Sequence, residues 1–135
     1  MPVKRTLRNF VRRRARGRCE YCHLPAAHAA GMPFQLEHIF ARQHGGPSVP
    51  SNLAFACHRC NLLKGPNLSS IDPLTGRIVR LFHPRRMAWD RHFLLEGPLI
   101  LGRTAIGRAT VRLLETNEGD RVELRATLIA EGLYE

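Results

Sequence analysis

Four cysteines fall into two pairs of identical spacing, Cys19-Glu20-Tyr21-Cys22 and Cys57-His58-Arg59-Cys60. Two intervening residues let a tight turn aim both thiolates at one ion, and two such turns complete a tetrahedral four-sulfur site of the kind that holds structural zinc. The other use of four cysteines is two disulfides. Met1-Pro2-Val3-Lys4-Arg5 has no apolar export-signal core, so nothing points to an oxidising compartment, and a cytoplasmic location is expected. Between the pairs lie Glu37-His38 and Asn52, and beyond Cys60 come Asn61 and Lys64. A neutral imidazole can take a proton from water near neutral pH, while carboxylate and amide oxygens suit a hard cation such as magnesium or manganese.

These residues need elements to hold them. Phe34-Gln35-Leu36 alternates as a strand and delivers Glu37 and His38 side by side, so the two side chains face opposite sides and have different jobs. Gly45-Gly46-Pro47 marks a turn in the loop from Ala41 to Ser51, and Asn52-Leu53-Ala54-Phe55-Ala56 reads as the return strand. Cys57 to Lys64 is a knuckle running into a short helix stopped by Gly65-Pro66. Each residue also has a plainer use. His38 would serve as a strand-end donor to a carbonyl, Asn52 as a strand start, Asn61 as a helix cap and Lys64 as a solvated cation in the last helical turn.

The combination of paired Cys-x-x-Cys turns, Glu37-His38-Ile39, a Gly-Gly loop, Asn52-Leu53, and Cys60-Asn61 followed by Lys64 resembles the HNH endonucleases, in the variant that ends its motif in Asn. The likeness covers about residues 10 to 70. It implies an α+β chain with a ββα-metal core framed by structural zinc on Cys19, Cys22, Cys57 and Cys60. It further implies His38 as general base, Glu37 and Asn61 as ligands of a catalytic Mg2+ or Mn2+, Asn52 fixing the loop that carries His38, and Lys64 against a phosphate. The products would be a 5′-phosphate and a 3′-hydroxyl. The family more often has Asp or His at the Glu37 position; the extra methylene would set an ion further out or move the backbone. An inactive zinc-dependent nucleic-acid-binding module is therefore the alternative, with a protein-interaction zinc module behind it.

The net charge of +10 is unevenly spread, because residues 1–18 carry eight cations and no acid. Leu7, Phe10 and Val11 recur at helical spacing there, giving a basic helix with a narrow apolar stripe. Its Arg12, Arg13, Arg14 and Arg16 suit phosphates without reading sequence, and DNA, double-stranded or branched, is the expected partner. No apolar run approaches the ~18 residues of a membrane span. The 135 residues allow one domain, divided as a basic helix (1–18), a zinc-framed core (19–66) and a supporting α/β extension (67–135) packed on it. As a monomer it would nick one strand; as a homodimer it would cut both.

In the extension, Asn67–Ser70 reads as polar loop, Arg77–Phe82 as a strand after the Asp72–Gly76 turn, and Leu99–Leu101 as a short strand after Gly97-Pro98. Thr104 caps a helix to about Glu115, and Asn117 or Glu118 opens a last one reaching Gly132.

Overall fold

In a computed structural model that describes residues 4–29 and 31–134, the basic arm folds as helix α1 (Arg5–Arg14). Residues 1–3 of the expected helix lie outside the described residues. Arg12, Arg13 and Arg14 occupy the last turn, where the helix dipole favours cations, and Gly17 at φ +68° turns the chain away. Val11 is fully buried against Leu53 and Phe55, with Leu7 beside it. Phe10, expected in the same stripe, is instead 44% exposed beneath the Arg14 guanidinium.

Strand β1 (Phe34–His38) pairs antiparallel with β2 (Leu53–Cys57), setting Phe34 opposite Cys57 and His38 opposite Leu53. Period-two alternation gives the hairpin two apolar faces. Phe34 and Leu36 pack with Val11, Leu53 and Phe55 on the α1 side, while Gln35 and Glu37 turn to the helix that follows. All five residues of β2 are buried, which is why it reads as an unbroken apolar run. Helix α2 (His58–Lys64) starts directly from β2. The Cys57 sulfur accepts from the Cys60 N–H at 3.5 Å in the N-cap position, and Gly65 at φ +51° ends the helix.

The rest of the chain is a mixture of short hairpins and helices, so the whole is α+β. Strand β3 (Ser69–Ile71) pairs with β4 (Ile78–Arg80), although its polar, three-residue stretch reads as loop. The turn between them explains the pairing. Asp72 accepts from the Leu74 N–H at 3.1 Å and the Thr75 hydroxyl at 2.8 Å, and its carboxylate is gripped by Arg108 through two bonds of 2.9 Å. That bidentate guanidinium is the first cause holding the Asp72 carboxyl well below the usual range.

Helix α3 (Trp89–His92) leads into β5 (Phe93–Glu96), which returns through the two-residue Gly97-Pro98 turn as β6 (Leu99–Gly102). Helix α4 (Ala105–Leu114) is capped by Thr104, whose Oγ1 accepts from the Gly107 N–H at 3.1 Å. Helix α5 (Gly119–Ala130) opens after Glu118, which makes no side-chain cap bond. Asn117 instead braces Ile100 in β6, accepting from its N–H at 3.0 Å and donating to its carbonyl at 2.9 Å.

Tyr21, Phe82, Phe93, Ile100, Leu114 and Leu128 form one buried cluster with the four cysteines, so the core of the extension and the cysteine turns are continuous. Among the described residues no helix is long and apolar enough to cross a membrane.

Candidate active site and metal centre

The four cysteine sulfurs lie within 4.8 Å of one another, and all four residues are buried and free of disulfides. Cys22 Sγ and Cys57 Sγ are 3.8 Å apart. Four sulfurs at the ~2.3 Å zinc bond length form a tetrahedron with edges of about 3.8 Å, so the centre is compatible with zinc. Each turn is tied in the same way: the Cys22 N–H points at Cys19 Sγ and the Cys60 N–H at Cys57 Sγ, both at 3.5 Å. The two-disulfide alternative fails on this geometry, because all four thiols converge on one point.

Arg121 from α5 reaches into the centre. Its Nη2 lies 3.0 Å from Cys60 Sγ, while Nη1 donates to the carbonyls of Leu114 and Glu115. Burial works against its charge, but the sulfurs of Cys60, Cys22 and Cys57 outweigh that and raise its pKa. Nothing in the sequence marks Arg121, which lies 61 residues beyond Cys60 in a helix that looks charge-balanced.

Glu37 is 3% exposed and fully engaged. It accepts from the Tyr21 hydroxyl and from Lys64 Nζ at 2.7 Å. Lys64, set against a phosphate by the resemblance, is 2% exposed and also donates to the Ile39 carbonyl at 2.9 Å. A helix-end lysine one strand-width from a buried carboxylate is drawn inward, since neither charge is tolerable alone at that depth. Asn61 lies on the same side, where its amide nitrogen donates to Gln35 Oε1 at 2.7 Å.

His38 takes the opposite face at the strand end. It is half-buried, with Nε2 at 2.8 Å from Ser48 Oγ. Burial first, and then the neighbouring Arg42 cation, lower its pKa, against a smaller opposing pull from Glu37. The ring is therefore neutral at pH 7.

Its loop is clamped by Asn52, which accepts from the Phe40 N–H at 2.9 Å and donates to the carbonyls of Phe40 at 3.0 Å and Pro47 at 2.9 Å. Gly46 closes the same loop so tightly that a Cβ there would meet the Phe40 carbonyl oxygen at 1.7 Å. One stretch thus holds four cysteines round a point, a buried carboxylate and amide on one face, and a clamped imidazole on the other.

Residues 19–67 match the model of the HNH endonuclease family, a span that includes every one of these groups. This segment is similar to the HNH endonuclease domain. Nuclease-type activity is what such a domain carries in general. No curated protein and no solved structure matches the chain.

Around the HNH segment, the arginines at the end of α1 and just beyond it divide. Arg12, Arg13 and Arg16 are exposed, with Arg12 also 5.8 Å over the Phe55 ring. Arg14 is turned onto the fold, donating to the carbonyls of Pro50 at 2.9 Å and Leu53 at 2.7 Å.

Sequence reasoning did not find Tyr21, Gln35, Ser48 or Arg121. The first three sit one to three residues from a motif position or inside its loop, but no spacing rule selects them.

Replacing Asn52 by Ala in the HNH loop strands the Phe40 N–H and two carbonyls. A cost of about 2–4 kcal/mol is expected from chemical denaturation, at 1–3 kcal/mol for each buried group left unpaired and partial rescue by water. Asn52→Asp keeps only the bond from Phe40 and should lose nearly as much.

Proposed function

We propose that the chain is a metal-dependent HNH endonuclease that hydrolyses DNA phosphodiester bonds to 5′-phosphate and 3′-hydroxyl ends. The observation that carries this reading is His38: a neutral imidazole at a strand end, partly exposed, and fixed by the Asn52 clamp inside an HNH segment. The neutral ring is the proton acceptor. It takes a proton from the water whose oxygen attacks phosphorus as the bond to the 3′ oxygen breaks. The 3′ oxygen leaves and is protonated by solvent.

The donor set at Glu37 and Asn61 suits a divalent ion. Glu37 already holds a cation, the Lys64 ammonium at 2.7 Å, and the Asn61 amide oxygen is a second hard donor. Glu37 and Asn61 would hold Mg2+ or Mn2+ after Lys64 gives up the carboxylate. When bound, the ion supplies charge stabilisation at the phosphoryl and leaving oxygens. Asn52 positions the His38 loop and does not react. The exposed Arg12, Arg13 and Arg16 meet neighbouring phosphates, and Lys64 would join them once released. In this reading residues 1–135 act as one HNH unit, with residues 67–135 as its support.

Zinc at Cys19, Cys22, Cys57 and Cys60 braces the fold and takes no part in the reaction. Four thiolates on one Zn2+ leave an excess of two negative charges, one of which Arg121 offsets at 3.0 Å from Cys60 Sγ. Arg121→Met is expected to weaken zinc binding about 10–100-fold, the usual effect of losing a partner of the ligands. Competition with a chromophoric chelator measures this, and unchanged affinity would remove Arg121 from the centre.

Incubation of supercoiled plasmid with the pure protein and Mg2+ or Mn2+ tests the main reading; nicked circles are expected. One observation favours a second reading, an inactive nucleic-acid-binding module: Glu37 is satisfied by Tyr21 and Lys64 without any ion. Salt-sensitive DNA binding with no nicking under either ion would select it.

A further inference from the structure

A groove of about 640 Å3 lies between the His38 loop and the segment after β4, with Phe40, Asn52 and Lys64 on one wall and Arg80, His83 and Arg86 on the other. No carboxylate lines it. Arg85 also reaches the groove, but its charge is taken by Glu20. Arg80 and Arg86 are exposed, and neither side chain has a hydrogen bond or ion pair among the described residues.

Their placement is fixed from behind, by the Asp72 turn that Arg108 grips and by the bond from the Phe82 N–H to Thr110 Oγ1 at 3.0 Å. Two solvated arginines would ordinarily splay away from each other. Here both line one groove with His83, whose imidazole is made less basic first by burial and then by the cations around it, Arg86 foremost. Arg80 and Arg86 line the same groove as Lys64, whose own charge is held by Glu37. Phe40, 41% exposed, offers a flat apolar surface in the same groove, two residues from His38.

Unpaired guanidinium groups along a trough without acids, beside an exposed aromatic ring, match a polyanion that also carries flat apolar faces. We propose that this groove seats the sugar-phosphate backbone of the strand to be cut, with Arg80 and Arg86 each neutralising one phosphate and Phe40 lying against a sugar or base. The proposal rests on the nuclease reading and adds the path of the substrate, which then runs along the C-terminal extension as well as the basic helix. Arg80 and Arg86 touch the nucleic acid backbone and are binding residues, without a part in proton transfer.

The test measures binding alone, in the His38→Ala background, by fluorescence anisotropy of a labelled DNA duplex titrated across a range of salt. Each phosphate contact contributes about 0.9 to the slope of log affinity against log salt, so Arg80→Gln with Arg86→Gln should lower that slope by about two. The pair Arg91→Gln with Arg112→Gln removes the same net charge from exposed positions outside the groove and should leave the slope unchanged. A melting curve confirms that the groove variant folds.

A slope unaltered in the groove variant overturns the proposal, and so does an equal fall in the control pair, which would make the effect one of net charge. The two readings fail separately. A wild-type protein that binds through Arg80 and Arg86 yet never nicks plasmid sinks the nuclease reading, whereas nicking with an unaltered slope sinks the groove.

Discussion

Stripping the four-cysteine centre with a strong chelator, or replacing Cys57 by Ala, is expected to unfold residues 19–64 and to loosen the C-terminal helices with them. Cys57 ends β2, caps α2 and supplies one of four converging sulfurs, so a single change removes a ligand and a helix start together. Apparent zinc-binding free energies of roughly 10–16 kcal/mol in small metal-dependent folds match or exceed the ~5–15 kcal/mol net stability of a typical domain. The hydrophobic clusters alone are then insufficient. Trp89 is the chain's one tryptophan, and it reports on the event directly: its indole N–H donates to the Tyr21 carbonyl at 2.8 Å, and its ring stacks on His23 at 4.1 Å. Metal loss should shift its emission to the red and abolish cooperative thermal unfolding. A chelated protein that keeps both its Trp89 emission and its melting transition would show that the sulfurs carry no structural ion.

His38→Ala is expected to reduce plasmid nicking by about 10²- to 10⁴-fold, the usual contribution of a positioned general base. The substitution removes a half-buried ring whose hydrogen bond is to the Ser48 hydroxyl, so the fold has little to lose. Zinc content, melting temperature and salt-dependent DNA binding should stay within error of the wild type. That separation matters, because Asn52→Ala would also lower activity, but only together with stability. Equal nicking by the His38 variant and the wild type would mean that another group takes the proton.

Much of this was legible from residue spacing, and the exceptions share a cause. The Cys-x-x-Cys turns, the hairpin between them and the Thr104-capped helix rest on local rules of two to four residues, and each is present. Strands β3 and β5 escaped because three or four residues show no period; the Asp72 and Gly97-Pro98 turns define them from outside. Asn117 reads as a helix opener by type, yet its amide pairs with the backbone of Ile100, a bond that depends on two elements meeting. Alternation along β1 placed Glu37 and His38 on opposite faces. It could not disclose that Tyr21 and Lys64 would close over the carboxylate, since that requires the first knuckle and the end of α2 to arrive at one depth. Arg121 is the extreme case, a single guanidinium whose meaning appears only when α5 lies across the sulfurs.

The seat of α5 also has a consequence for biosynthesis. The Tyr134 hydroxyl donates to the Cys22 carbonyl, Arg125 Nε donates to Tyr134 at 3.2 Å, and Arg121 lies on Cys60. On the ribosome the four thiols emerge before Arg121, Arg125 and Tyr134, so an ion can be captured before α5 covers the site. The cage is closed only once α5 has docked across the sulfurs through Arg121.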